Sequence, residues 1–115
     1  MPLNYEYEKR LRVGYIGAGE HSVRNILPSF QYAPIELVAL ADHHPERGLA
    51  VARQFGAQRF YPNHKALLAK EELDAVFIVV GPDSEGRPRY VELAGDSLRA
   101  GFHTWIEKPP CASAT

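Results

Sequence analysis

Cysteine is almost missing from this chain of 115 residues, with Cys111 standing alone. One thiol makes no internal disulfide, so the fold does not depend on an oxidising compartment. No apolar run approaches the roughly 20 residues that a membrane helix requires. Neither charge dominates: 13 Lys and Arg face 14 Asp and Glu, a net charge of -1. A partner of nucleic-acid phosphates would show a basic surface, which this balance does not supply. Residues 1–10 are polar and charged where a secretory signal would carry an apolar core, and they read as a flexible arm. The histidines His21, His43, His44, His64 and His103 lack metal-ligand spacing, and adjacent His43 and His44 point apart on any regular backbone. They read as surface or packing residues and no metal is expected. Cys111 has no base beside it in sequence, so a nucleophile role is not expected. A cytoplasmic protein without membrane or nucleic-acid partners is the expectation.

What is present is the composition of one globular domain, 45% hydrophobic and 23% charged. Short apolar runs alternate with amphipathic stretches. Residues 11–16 read as a strand that ends in Gly17-Ala18-Gly19. Val23, Ile26, Leu27 and Phe30 then fall on one helical face, with Pro28 kinking that helix or ending it early. Residues 35–41 form a second strand, stopped by Asp42. Pro45 suits the first turn of a helix and Gly56 its end. A short third strand covers 58–61, and Asn63 caps a helix through about Lys70. Residues 75–80 (Ala-Val-Phe-Ile-Val-Val) are apolar on both faces, as a parallel strand covered by helices must be. Tyr90, Val91, Ala94 and Leu98 outline another helix closed by Gly101, and a fifth strand covers 103–107. Strand and helix in strict succession predict an α/β fold: three layers around a mostly parallel sheet, right-handed crossovers, strand order 3-2-1-4-5.

One segment of this frame carries chemistry. Gly17-Ala18-Gly19-Glu20-His21-Ser22 matches Gly-x-Gly-x-x-small between a strand and a helix. Gly17 permits the tight turn, Gly19 lets a diphosphate approach the backbone, and Ser22 takes the close-packing position. The helix start offers free N–H groups to an anion, with Glu20 and His21 in the same turn. Asp42 follows Ser22 by 20 residues at the end of strand two, where a carboxylate accepts hydrogen bonds from ribose hydroxyls. Taken alone, the glycines describe any strand-to-helix turn, and Asp42 any capping aspartate; together they describe a dinucleotide site. A carboxylate there repels the 2′-phosphate of NADP, so NAD is favoured over NADP, with Arg47 the one nearby cation that offsets this. His43 adjoins the same position.

The far end narrows the reading. Glu107-Lys108-Pro109 after strand five, the glycine loop, Ala41-Asp42-x-x-Pro45-x-Arg47 and Val80-Gly81-Pro82-Asp83 together resemble the glucose–fructose oxidoreductase / inositol dehydrogenase / MocA family, across residues 11–110. The resemblance implies a Rossmann-fold NAD(P)-binding domain over 11–115 of a dehydrogenase acting on CH–OH groups of a sugar, polyol or related hydroxy compound. It implies that Lys108 sits beside the nicotinamide and assists proton transfer, that Glu107 anchors it, and that Pro82 and Asp83 lie under the nicotinamide half. A lysine near that cation and partly desolvated has a lowered pKa suited to acid–base work. The family often has Thr-Pro-Asn and then a histidine after strand four. Here Gly81-Pro82-Asp83 is followed by Ser84-Glu85-Gly86-Arg87-Pro88, about four residues more than the family pattern, with Tyr90 near the histidine position. Arg87 and Arg89 read as a solvated helix start.

Family members continue into a second α/β domain that builds the substrate pocket, and that domain is expected to be absent from this chain, along with the last Rossmann strand and helix. Hydride transfer needs the alcohol held against the nicotinamide. The expectation is therefore cofactor binding without efficient turnover. A stand-alone NAD-binding regulatory module without catalysis stays open beside the dehydrogenase reading. A methyltransferase using S-adenosylmethionine fits the glycine loop and acid but not Glu-Lys-Pro. The bare edge of strand five offers a surface for a homodimer.

Overall fold

In the computed structural model, which describes residues 10–19, 22–81 and 89–106, the apolar runs become five strands. They are β1 (Leu11–Ile16), β2 (Ile35–Ala41), β3 (Arg59–Tyr61), β4 (Ala75–Ile78) and β5 (His103–Ile106). They form one sheet in the order β3-β2-β1-β4-β5, every pair parallel, as the sequence predicts. The first two strands match their expected spans because their inner residues are buried on both faces and leave no room for a competing period. β4 stops at Ile78, two residues before the expected end. Val79 still donates its N–H to the Ile16 carbonyl at 2.9 Å, so the pairing fades there rather than breaking off.

Among the described residues, three α-helices cover the sheet: α1 (Pro45–Phe55), α2 (His64–Lys70) and α3 (Tyr90–Arg99). Pro45 opens α1, and Gly56 closes it in the left-handed conformation at φ 78°. The Asn63 side chain accepts from the Ala66 N–H at 2.8 Å and caps α2. One apolar layer holds Tyr15, Leu27, Phe30, Leu40, Val51 and Ala52, between the sheet and α1. The opposite layer holds Ile16, Leu67, Val76, Ile78, Leu93 and Ala94, under α2 and α3. The crossovers thus leave β1 towards one face and enter β4 from the other. That divergence opens a crevice at the carboxyl ends of β1 and β4, where doubly wound sheets bind ligands.

Two expectations need correction. The segment after the glycine loop is not an α-helix but a π turn (Ser22–Ile26) running into a 3-10 helix (Leu27–Tyr32). Pro28, in the first turn of the 3-10 segment, lacks the N–H an α-helix would use there, and in an α-helix its ring would crowd the carbonyl of Arg24. The buried face of α3 also differs. Leu93, Ala94 and Ser97 face the sheet, while Val91 and Leu98 are exposed.

Candidate functional site

The crevice gathers side chains from five separate segments. Ile16 and Gly17 come from the end of β1, and Ala41, Asp42 and His43 from the end of β2. Asn63 and His64 enter from the start of α2, Val80 from beyond β4, and Arg89 and Leu93 from the head of α3. Its walls are mostly apolar, and among its polar groups Asp42 is buried.

Gly17 sits at φ 110°, its N–H bonded to the Ala41 carbonyl at 2.8 Å. A Cβ at Gly17 would fall onto the carbonyl oxygen of Val79, so only glycine makes this turn without strain. Gly19 is the opposite case, since a Cβ there would meet nothing within 4 Å among the described residues. The backbone beside Gly19 is open to a close approach from outside, the room a diphosphate would need. Ser22 is buried with its hydroxyl unpartnered among the described residues. The close packing assigned to Ser22 is conspicuous at a glycine the sequence reading passed over. A Cβ on Gly48 would lie 2.9 Å from the Asp42 Cβ, so α1 presses directly on the end of β2.

Asp42 is 5% exposed and lines the crevice. Both of its carboxylate oxygens accept from one guanidinium: Arg47 Nε donates to Oδ2 and Arg47 Nη2 to Oδ1, each at 3.1 Å. This fork-to-fork pair fixes the carboxylate and leaves it lone pairs for further donors. Arg47 is thus bound to the acid whose charge it was expected to offset.

His43 and His44 do not point apart. Their ring centroids are 4.3 Å apart, because the turn between β2 and α1 is not regular backbone. His43 Nδ1 meets Arg89 Nη2 at 3.2 Å. Partial desolvation, then the charges of Arg89 and His44, hold the His43 imidazole below its ordinary value. Arg89 is therefore no freely solvated helix start; it is half-buried and reaches across the crevice. His64, its side chain 15% exposed, bonds Asp96 Oδ2 through Nε2 at 2.8 Å. Sequence reasoning missed Arg89 and His64 as crevice residues, because each partner lies tens of positions away. Of the remaining candidates, Glu20, His21, Pro82, Asp83, Glu107 and Lys108 lie outside the described residues.

A parallel sheet with this order, a glycine turn after the first strand and a buried acid at the end of the second define a dinucleotide-binding domain of the Rossmann class. The comparisons narrow this. The model of the GFO_IDH_MocA oxidoreductase family, NAD-binding Rossmann fold, matches residues 11–115, and the chain belongs to that family. It is 35% identical over 102 residues to D-xylose 1-dehydrogenase (NADP(+)) 2 of Haloferax volcanii, covering 88% of this chain and 30% of that protein. It is 36% identical over 110 residues to a dTDP-3,4-didehydro-2,6-dideoxy-alpha-D-glucose 3-reductase of Streptomyces violaceoruber, covering 95% of this chain and 30% of the reductase. Among solved structures, a 3-ketoreductase from Actinomadura kijaniata in complex with TDP-benzene and NADP superposes with a TM-score of 0.74 at 30% identity, over 88% of this chain and 30% of that one. The chain therefore spans about 30% of the length of the relatives it matches. The domain is NAD(P)-binding. Among the described residues, no helix is long and apolar enough to cross a membrane.

Proposed function

We propose that this domain presents a nicotinamide dinucleotide for hydride transfer at a CH–OH or carbonyl group of a sugar, polyol or related hydroxy compound. In this reading the amides around Gly17, Gly19 and Ser22, with Glu20 and His21, receive the diphosphate. Asp42 accepts the hydroxyls of the adenosine ribose, and His43 flanks it. Pro82, Asp83 and Glu107 belong to the nicotinamide half, and Lys108 holds and protonates the substrate oxygen. When bound, the cofactor supplies the hydride acceptor or donor. The substrate class is supported by relatives named for xylose and for dTDP-sugars.

The observation that carries the reading is the glycine turn at Gly17 and the buried, fixed carboxylate of Asp42 lining one crevice, with open backbone at Gly19 two residues beyond that turn. NAD is the favoured cofactor, although named relatives use NADP. Asp42 cannot swing away from a 2′-phosphate, because it is buried and gripped from both oxygens by Arg47. Arg47 also cancels much of the carboxylate charge, so the preference is modest, about tenfold.

Calorimetric titration of the chain with NAD, NADH and NADP tests this. The expected result is binding of all three with NAD ahead of NADP. Asp42→Ala should weaken NAD by about tenfold to a hundredfold, the range for a charged hydrogen-bond acceptor. A folded chain that binds none of them defeats the reading, and a preference for NADP overturns the role of Asp42.

A further inference from the structure

Resting on the cofactor reading above, we propose that Arg89 and His43 form a clasp over the crevice, with the Arg89 guanidinium lying on the adenine ring and His43 holding it there. Arg89 heads α3, whereas His43 stands in the turn between β2 and α1. The contact between Nη2 and Nδ1, at 3.2 Å, spans 46 positions and joins the two sides of the crevice. A guanidinium only donates, so His43 Nδ1 is the acceptor and Nε2 carries the hydrogen. The bond therefore requires the neutral ring.

The place of the clasp says what it covers. Asp42 is the immediate neighbour of His43 in the chain. A nucleoside whose ribose hydroxyls meet Asp42 has its base within one glycosidic bond of that sugar, beside His43 and Arg89. Behind that position stand Ile16, Ala41, Val80 and Leu93, an apolar wall suited to one face of a flat ring. A planar guanidinium stacks on the other face, as it does on aromatic rings generally. Asp42 is already matched by Arg47, so Arg89 is the cation at the rim not tied to a carboxylate in the described contacts. Burial first, then the charges of Arg89 and His44, and last Arg47, lower the His43 pKa against the opposing pull of Asp42, which favours the neutral ring.

Titration of the full chain with ADP-ribose and with 2′-phospho-ADP-ribose tests the clasp, using Arg89→Ala, Arg89→Lys, His43→Ala and the double alanine variant. Thermal melts identify the folded variants. Arg89→Ala should lower ADP-ribose affinity by about fivefold to thirtyfold, the range for a desolvated cation on a ring. Arg89→Lys keeps the charge without the plane and should recover less than half of that loss. His43→Ala should weaken binding as well, and the double variant should bind no more weakly than Arg89→Ala. Unchanged ADP-ribose binding in both Arg89 variants overturns the clasp. Additive losses in the double variant overturn the coupling between the two residues. A loss confined to 2′-phospho-ADP-ribose makes Arg89 a phosphate reader and also overturns the proposal. If the unmodified chain binds neither compound, the cofactor reading itself has failed, and the clasp fails with it.

Discussion

Gly17 and Gly19 are two positions apart, yet they answer to different constraints. Gly17 is required by the fold, with φ at 110° and a Val79 carbonyl where a Cβ would go. Gly17→Ala should cost roughly 2–4 kcal/mol and lower the melting temperature by about 8–17 °C, seen by circular dichroism. Gly19→Ala has free space around it, so its melting curve should match the parent while NAD affinity falls about tenfold by crowding of the diphosphate. Unchanged NAD affinity in Gly19→Ala would remove the diphosphate from that spot. Both glycines and Asp42 were legible in the sequence, because a strand, a turn and an acid at fixed spacing are local signals. The bonds from Arg89 to His43 and from His64 to Asp96 span 46 and 32 positions, and no local pattern announces them. Arg47 stood close enough to Asp42 to be noticed from sequence, but its grip on both oxygens needed coordinates.

Among the elements, strands were easier to read than helix types. The spacing of Val23, Ile26, Leu27 and Phe30 combines steps of three and four, which a π turn and a 3-10 segment satisfy as readily as an α-helix. The face of α3 was misassigned because Ser97 is buried while Leu98 is not, against their hydrophobicity. The short edge strand β3 depends on one buried acid. Glu71, just beyond α2, accepts from both Arg59 and the Tyr61 hydroxyl, the latter at 2.5 Å. The Arg59 guanidinium, and after it the Tyr61 hydroxyl, hold the Glu71 carboxyl below the usual glutamate value near 4.5, against the opposing effect of burial. A depressed folded pKa adds stability that is present above the unfolded value and is lost as pH falls through the folded one. His64 and then Arg99 hold Asp96 down in the same way, so both acids contribute to acid unfolding. Glu71→Gln should therefore lower stability by about 1–3 kcal/mol at neutral pH and flatten the loss of stability below about pH 4, read by urea titration across pH. An acid limb as steep as the parent's would show that β3 is held by other means.

Across the whole molecule, aromatic side chains form a ladder from core to rim. Tyr15 stacks on Phe77, and Phe77 on Trp105, in register across β1, β4 and β5. Trp105 ends the ladder at 57% exposure. As the sole tryptophan, it should give the emission of a solvated indole and quench readily with iodide in dilute chain. A protected, blue-shifted emission would show that the β5 side is covered in solution. The crevice has a different consequence. Its lining residues come from all along the described chain, from Ile16 to Leu93, so it exists only while the sheet is assembled. An occupant would act as a staple between distant stretches of sequence, and unfolding would have to release it first. At a hundredfold excess over its dissociation constant, such a molecule adds about 2.7 kcal/mol to the folded state. The heat resistance of this small domain would then track the supply of its dinucleotide.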